Sequence, residues 1–201
     1  MLTLRSSPAS PFGRKVKIAA MELGLMDRIE VAVADTNDPS EPLRQQNPLG
    51  KIPTLVLEDG TTLFDSRVIC EYLDFIAGGH RLFPEGEARF AQLRLMALAD
   101  GLADAALLQV YEVRFRPEEG RNAAWVANQA GKVSRALAAL EAAPPAYSGR
   151  PRIGEIALAC ALGYLDLRFA GAWRAEHPRL VAWLDAFAAE VPAFEETRVK
   201  S

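Results

Sequence analysis

The 201-residue sequence predicts an α/β unit built on a mixed four-stranded sheet, followed by an all-helical unit. Three features carry that expectation. Every plausible strand falls within the first 77 residues, and Asp59-Gly60 marks a tight hairpin inside that stretch. Beyond Gly78 the composition turns alanine-rich, with apolar residues at helical spacing.

Taken in order, Met1 to Arg5 reads as the first strand. Phe12, Val16, Ala19 or Ala20 and Leu23 then recur at helical spacing behind Pro11, a residue suited to a first helical turn, and Gly24 supplies the stop. Arg28 to Ala34 is the second strand. A strand, a helix and a second strand imply a parallel pair joined by a right-handed crossover. The Pro-rich stretch from Thr36 to Pro53 is irregular, with room for a short helix. Thr54 to Glu58 and Thr61 to Phe64 form the hairpin and add antiparallel pairing. Val68, Ile69, Tyr72, Leu73 and Ile76 stripe the helix that follows, which Gly78-Gly79 ends.

Helical patterns then run at about 86–115, 121–141, 153–168 and 178–189. The segment GGHRLFP at 78–84 reads as a linker between a unit at 1–77 and a unit at 85–201, and EAAPPAYSGRPR at 141–152 as a long interhelical loop. The helix from Ile153 is apolar nearly all round, which predicts the core of the second unit.

Composition narrows the function. Half of the residues are hydrophobic, and 23 basic against 26 acidic residues leave a net charge of −3, which gives no electrostatic reason to expect nucleic acid or an anionic membrane surface as partner. The longest apolar window, Ile156 to Leu165, falls well short of the roughly 20 residues needed to span a bilayer. Two cysteines and two histidines cannot build a Cys/His zinc cluster or a multi-disulfide framework, so no metal is expected. A reducing, cytoplasmic setting and the absence of an export signal follow as expectations. No G-x-S-x-G, H-E-x-x-H or CxxC motif occurs.

Three segments carry chemistry. The turn Ser6-Ser7-Pro8-Ala9-Ser10-Pro11 delivers the chain into the first helix, with Ser10 as its N-cap. A cap needs no function, yet a hydroxyl and free N–H groups at a helix start also stabilise an anion such as a thiolate. In Asn47-Pro48-Leu49-Gly50-Lys51-Ile52-Pro53, the proline opens a strand; if its bond is cis, Ile52 can present its own N–H and C=O to a peptide-like ligand. In Phe64-Asp65-Ser66-Arg67, Asp65 and Ser66 are good capping residues. They also suit an amino acid's α-carbon end, Asp65 for the ammonium and Ser66 with the helix start for the carboxylate. An anion-stabilising helix start, a main-chain docking edge and an amino-acid clamp thus fall at neighbouring ends of one sheet.

With SPFGRKVKIA, NPLGKIPTLVLEDGTTLFDSRVICEYL and IALACALGYLDLR, the sequence resembles the bacterial cytosolic glutathione S-transferases along nearly its whole length. The resemblance implies a thioredoxin-like N-terminal domain that binds glutathione, an all-helical C-terminal domain that lines the second-substrate site, and a homodimer. It implies glutathione as co-substrate with no separate cofactor, small apolar electrophiles as second substrates, and a detoxification role. Residue by residue, Pro53 matches the family's cis-proline and Ile52 the residue pairing with the cysteinyl part of glutathione. Asp65 and Ser66 match the acidic-serine pair at the γ-glutamyl end, and Lys51 a residue near the glycine carboxylate. Ser10 matches the hydroxyl that bonds the glutathione sulfur in serine-type classes, and Ser7 is the fallback. Asp100 is a candidate for the acidic residue that reaches the glutathione amine from the partner subunit. Tyr111 and Phe115 are candidates for the second-substrate wall, with core or dimer-interface packing as their ordinary explanation.

The sequence departs from the family in two places. The helix from Ile153 lacks the usual Ser/Thr cap: Arg152 stands there, leaving Glu155, packing or Ser148 to serve the helix start. No cysteine occupies positions 6–11, which speaks against mixed-disulfide chemistry. Cys70 and Cys160, set among apolar neighbours, read as buried and inert. The second reading, from another class, is a non-catalytic adaptor on the same scaffold, resembling the family's stringent-response members.

Overall fold

The computed structural model describes residues 1–147 and 149–199. Strand β1 (Leu2–Ser6) alternates buried and half-buried side chains, placing Leu2 and Leu4 in the core. Helix α1 (Pro11–Glu22) carries the chain to β2 (Ile29–Val33), which lies parallel to β1 with Leu2 opposite Ile29 and Ser6 opposite Val33. After the short α2 (Leu43–Gln46), β3 (Thr54–Val56) pairs antiparallel with β1, and β4 (Thr62–Leu63) antiparallel with β3. The mixed sheet therefore runs β2-β1-β3-β4. Both hairpin strands are shorter than their apolar runs, because the chain turns at Leu57, whose N–H donates to Thr61 O at 2.8 Å, around Gly60 at φ 84°.

Helix α3 (Ser66–Ile76) packs on β3 and α1, burying Ile69, Cys70 and Leu73. The remainder is helical: α4 (Glu87–Phe115), α5 (Ala123–Ala142), α6 (Ile153–Phe169), α7 (Pro178–Glu190) and α8 (Pro192–Glu196). Helix α6 packs most extensively on α4 and buries Ile153, Ile156, Leu158, Leu162 and Leu165; burying such a side chain stabilises by about 1.5–3 kcal/mol each. It also lies against α1, so the all-apolar helix joins the sheet half to the helical half. Among the described residues, no helix is long and apolar enough to cross a membrane.

The start of α6, which lacks a Ser/Thr cap, is satisfied by one local and two tertiary contacts. Glu155 accepts the Arg152 N–H at 2.6 Å, Gln92 Oε1 accepts the Gly154 N–H at 3.0 Å, and Leu82 O accepts from Ile153 at 3.2 Å. Arg152, which has no acceptor to offer, instead donates to the carbonyls of His80 and Arg81, tying the connection from α3 to this helix. Ser148, the other candidate cap, lies outside the described residues.

Candidate active site

Topology collects the predicted segments at one end of the sheet. Ser6 ends β1, Thr54 begins the antiparallel β3 opposite Arg5, and Leu63 ends β4 opposite Leu55. The turn after β1, the Ile52-Pro53 entry to β3 and the Asp65-Ser66 start of α3 therefore share an edge. The Ile52-Pro53 and Phe64-Asp65 peptides are both cis. Asn47 is buried and shapes the entry loop: its Nδ2 donates to Lys51 O at 2.9 Å and to Thr54 Oγ1 at 3.1 Å, while Thr54 Oγ1 donates to Lys51 O at 3.0 Å. Ile52 is half-buried and Lys51 exposed.

Ser10 caps α1, its Oγ accepting the Gly13 N–H at 3.1 Å. Having accepted that bond, the hydroxyl keeps its own O–H to donate. No acid occupies the first turn of α1, so its positive end is left for an external anion. Asp65 caps α3 by accepting from Arg67 N at 2.9 Å, and Ser66 beside it is buried.

A cavity of about 260 Å³ opens at Ser10 between the sheet half and the helical half. Pro8, Ala9 and Pro11 flank the serine, and Tyr164 of α6 and Phe194 of α8 stand across from it. Ser7 is not part of this wall; its carbonyl accepts from Ser10 N at 3.1 Å. Tyr111 and Phe115 also lie off it, meeting edge-on at 5.0 Å near the end of α4, with Phe115 exposed. Tyr164 and the C-terminal segment had no sequence signal as wall residues, because the first sits in a helix apolar on all sides and the second is too short to show periodicity.

Asp100 lies in a buried ion cluster. Lys15 Nζ of α1 bonds both of its oxygens, at 2.7 and 2.9 Å, and Arg67 Nε of α3 donates to Oδ2 at 2.9 Å. Its carboxylate thus clasps α1 and α3 to α4. One turn further on, partial burial of its carboxyl and then the Asp100 charge raise Asp104 above the ordinary value, with Arg67 and Lys51 opposing. Burial pushes the Cys70 thiol up to about 12 and Cys160, on the cavity wall, up to about 11, so neither is a thiolate at neutral pH. Among the described residues, no group of three or more His, Cys, Asp or Glu side chains is placed to hold a metal ion.

The family described as "Glutathione S-transferase, N-terminal domain" matches residues 9–75, and "Glutathione S-transferase, C-terminal domain" matches residues 123–186. A glutathione transferase family member from Pseudomonas fluorescens Pf-5, crystallised with bound glutathione, is 41% identical over the full length of both chains at a TM-score of 0.91. A structure of a Pf-5 family member with bound S-(propanoic acid)-glutathione gives 40% identity, full coverage of both chains and a TM-score of 0.87. The GST-like protein YibF of Escherichia coli K12, itself uncharacterised, is 34% identical over 90% of each chain. A stringent starvation protein A homolog of Coxiella burnetii is 42% identical over 74 residues, covering 37% of this chain and 34% of that protein. The relatives matched along their whole length share both halves of the molecule, sheet and helices alike, and on that ground the chain belongs to the glutathione S-transferase family.

Proposed function

We propose that the protein is a serine-type glutathione transferase in which Ser10 activates the thiol of bound glutathione. The observation that carries this reading is the position of Ser10, an N-cap hydroxyl whose O–H has no acceptor among the described residues, on the wall of a cavity at the end of the sheet that also carries the Ile52-Pro53 and Asp65-Ser66 segments, although those segments do not line that cavity. In this reading the Ile52 backbone pairs with the cysteinyl residue, and Lys51 attracts the glycine carboxylate. Ser66 and the start of α3 hold the γ-glutamyl carboxylate, with Asp65 taking the ammonium. A free thiol with a pKa of about 8.5 is only a few per cent thiolate at neutral pH, so lowering it by one or two units raises the nucleophile about tenfold or more. The Ser10 O–H donates to the sulfur while the thiol proton passes to solvent. The thiolate then attacks an electrophilic carbon held in the cavity, a step that proximity makes effectively unimolecular.

The same reading divides the chain at 78–84 into a glutathione-binding domain and a second-substrate domain, and places the protein in the cytoplasm. It pairs two copies through α3 and α4, where Val68, Phe75, Phe90 and Leu98 stand exposed. A second reading, a non-catalytic adaptor, is favoured only by the partial similarity to stringent starvation protein A homologs.

The test is the ultraviolet absorbance of bound glutathione thiolate followed against pH. The expected result is a thiol pKa well below about 8.5, rising toward that value in Ser10→Ala and in Ser10→Gly, the latter retaining nearly all of the cap. Failure to bind glutathione would favour the adaptor; an unshifted thiol would remove Ser10 from the mechanism.

A further inference from the structure

Arg14 lies one turn beyond Ser10 on α1 and is only 8% exposed. A buried cation is ordinarily matched by a carboxylate, and among the described residues this one is not: its Nε donates to Thr197 Oγ1 at 3.1 Å and its Nη2 to the Phe194 carbonyl, both neutral acceptors. The Phe194 ring, 4.0 Å from the guanidinium carbon, fixes the plane of the fork. Among the described residues, Nη1 has no hydrogen-bond acceptor, and it lies against Gly163, where an added Cβ would meet it at 2.5 Å. Arg14 and Gly163 both line the cavity at Ser10.

The other charges on that wall do not neutralise it. Asp166 already accepts from Trp173 Nε1 at 2.8 Å and from Arg174 at 2.9 and 2.7 Å. Arg198, exposed at the rim, adds a second positive charge paired with Glu195 at 3.3 Å. Apart from the Tyr164 phenol, the remaining side chains, including those of Pro8, Leu167 and Val199, are apolar. The cavity therefore has the α1 N-cap hydroxyl, a guanidinium from the next turn of the same helix with no carboxylate partner among the described residues, and a largely apolar wall.

We infer that the second substrate is a small electrophile carrying a carboxylate, which docks on Arg14 Nη1 while its reactive carbon faces the sulfur at Ser10. This rests on the transferase reading and deepens it. Both groups line one cavity of about 260 Å³, so a single-ring electrophile is the probe of choice. The guanidinium fork, held by Thr197, Phe194 O and the Phe194 ring, is oriented before the ligand arrives, so little side-chain freedom is lost on binding.

The probe pair is 4-chloro-3-nitrobenzoate and 4-chloro-3-nitrobenzamide. In each the thiolate sulfur forms a bond to the ring carbon, the C–Cl bond breaks and chloride leaves with the electron pair, the thiol proton having gone to solvent. Each kcat/KM is divided by the uncatalysed rate, and the acid-to-amide ratio is read within each variant. Wild type is expected to favour the acid by about tenfold, consistent with a charge-assisted hydrogen bond. The ratio should fall to about one in Arg14→Gln and recover in part in Arg14→Lys. Calorimetry with the two matching glutathione conjugates should give the same ratios in affinity. A wild-type ratio near one overturns the inference, as does an equal loss for both probes in Arg14→Gln, which would make Arg14 a staple for the C-terminal segment and no more. If glutathione alone fails to bind wild type, the transferase reading falls and this inference with it. If glutathione binds and the conjugates show no preference, only the inference falls.

Discussion

Arg14 and Lys15 are consecutive on α1, both buried, and about 100° apart around the helix, yet they meet opposite solutions to the same electrostatic problem. Lys15 points to α4 and finds Asp100, with Arg67 completing the cluster. Arg14 points to α6 and α8 and finds a hydroxyl, a carbonyl and an aromatic face. The first site is closed, since each charge has an opposite charge in hydrogen-bond contact. The second, among the described residues, satisfies part of the guanidinium's hydrogen-bonding capacity but not its charge. The difference separates a cation that holds the molecule together from one that leaves attraction over for a ligand.

The sharpest way to break this comparison is to open the closed side. Asp100→Ala strands the Lys15 ammonium, whose side chain is 1% exposed, and removes the acceptor of Arg67. Breaking a buried pair from one side costs about 3–5 kcal/mol, so a loss of that size is expected in urea unfolding. Replacing both partners, Lys15→Met with Asp100→Leu, should restore most of it, because the uncompensated charge is then gone. A loss below about 1 kcal/mol in Asp100→Ala, the range of an exposed pair, would show that Lys15 is not electrostatically closed.

Why the two neighbours differ was not legible in the sequence, although their helix was. The Ser10-Pro11 start, the apolar spacing behind it and the Asp59-Gly60 turn are local signals, and α1 and the hairpin appear where those residues put them. The parallel pair and the antiparallel hairpin followed from the β-α-β and hairpin sequence by connection rules, whereas the pairing of β3 with β1 rather than β2 was visible only in the structure. The partners of Arg14 and Lys15 lie about 180 and 85 residues along the chain, and nothing in a local window distinguishes Arg14 from its neighbour. Helix α8, which supplies one wall of the cavity, spans only five residues. The capping of α6 was legible only in its local part, Glu155: Gln92 and Leu82, which serve its first N–H groups, are remote in sequence from Arg152.

A smaller effect should come from the spacing between the helices that each cation faces. Gly154 of α6 lies so close to α4 that an added Cβ would sit 2.9 Å from the Gln92 carbonyl oxygen and 2.9 Å from Leu95 Cβ. Gly154→Ala forces α6 away from α4 and costs about 1–3 kcal/mol as overpacking, offset in part by alanine's helix preference. Since α6 carries the wall on the Arg14 side and α4 carries Asp100, the open site should shift and the closed one should not. The expected outcome is a lowered thermal midpoint with altered second-substrate KM. Unchanged stability would mean that α4 absorbs the added methyl without moving.

The smallest effect tests whether the Asp100 charge is still felt beyond the two cations that clasp it. Asp104 lies one turn from Asp100, and its carboxyl is raised by burial first and by Asp100 second. An acid whose folded pKa exceeds its unfolded value binds more protons when folded, so its contribution to stability falls as pH rises through the folded value and recovers as pH drops toward the ordinary value of 3.8. Asp104→Asn should therefore stabilise the protein at neutral pH by some tenths of a kcal/mol, screened as Asp104 is by solvent, with the gain disappearing as pH approaches about 4. Urea midpoints of the two proteins measured across that range decide it. A difference that stays constant with pH would mean that Asp104 titrates alike in both states, and that Lys15 and Arg67 fully screen Asp100 from it.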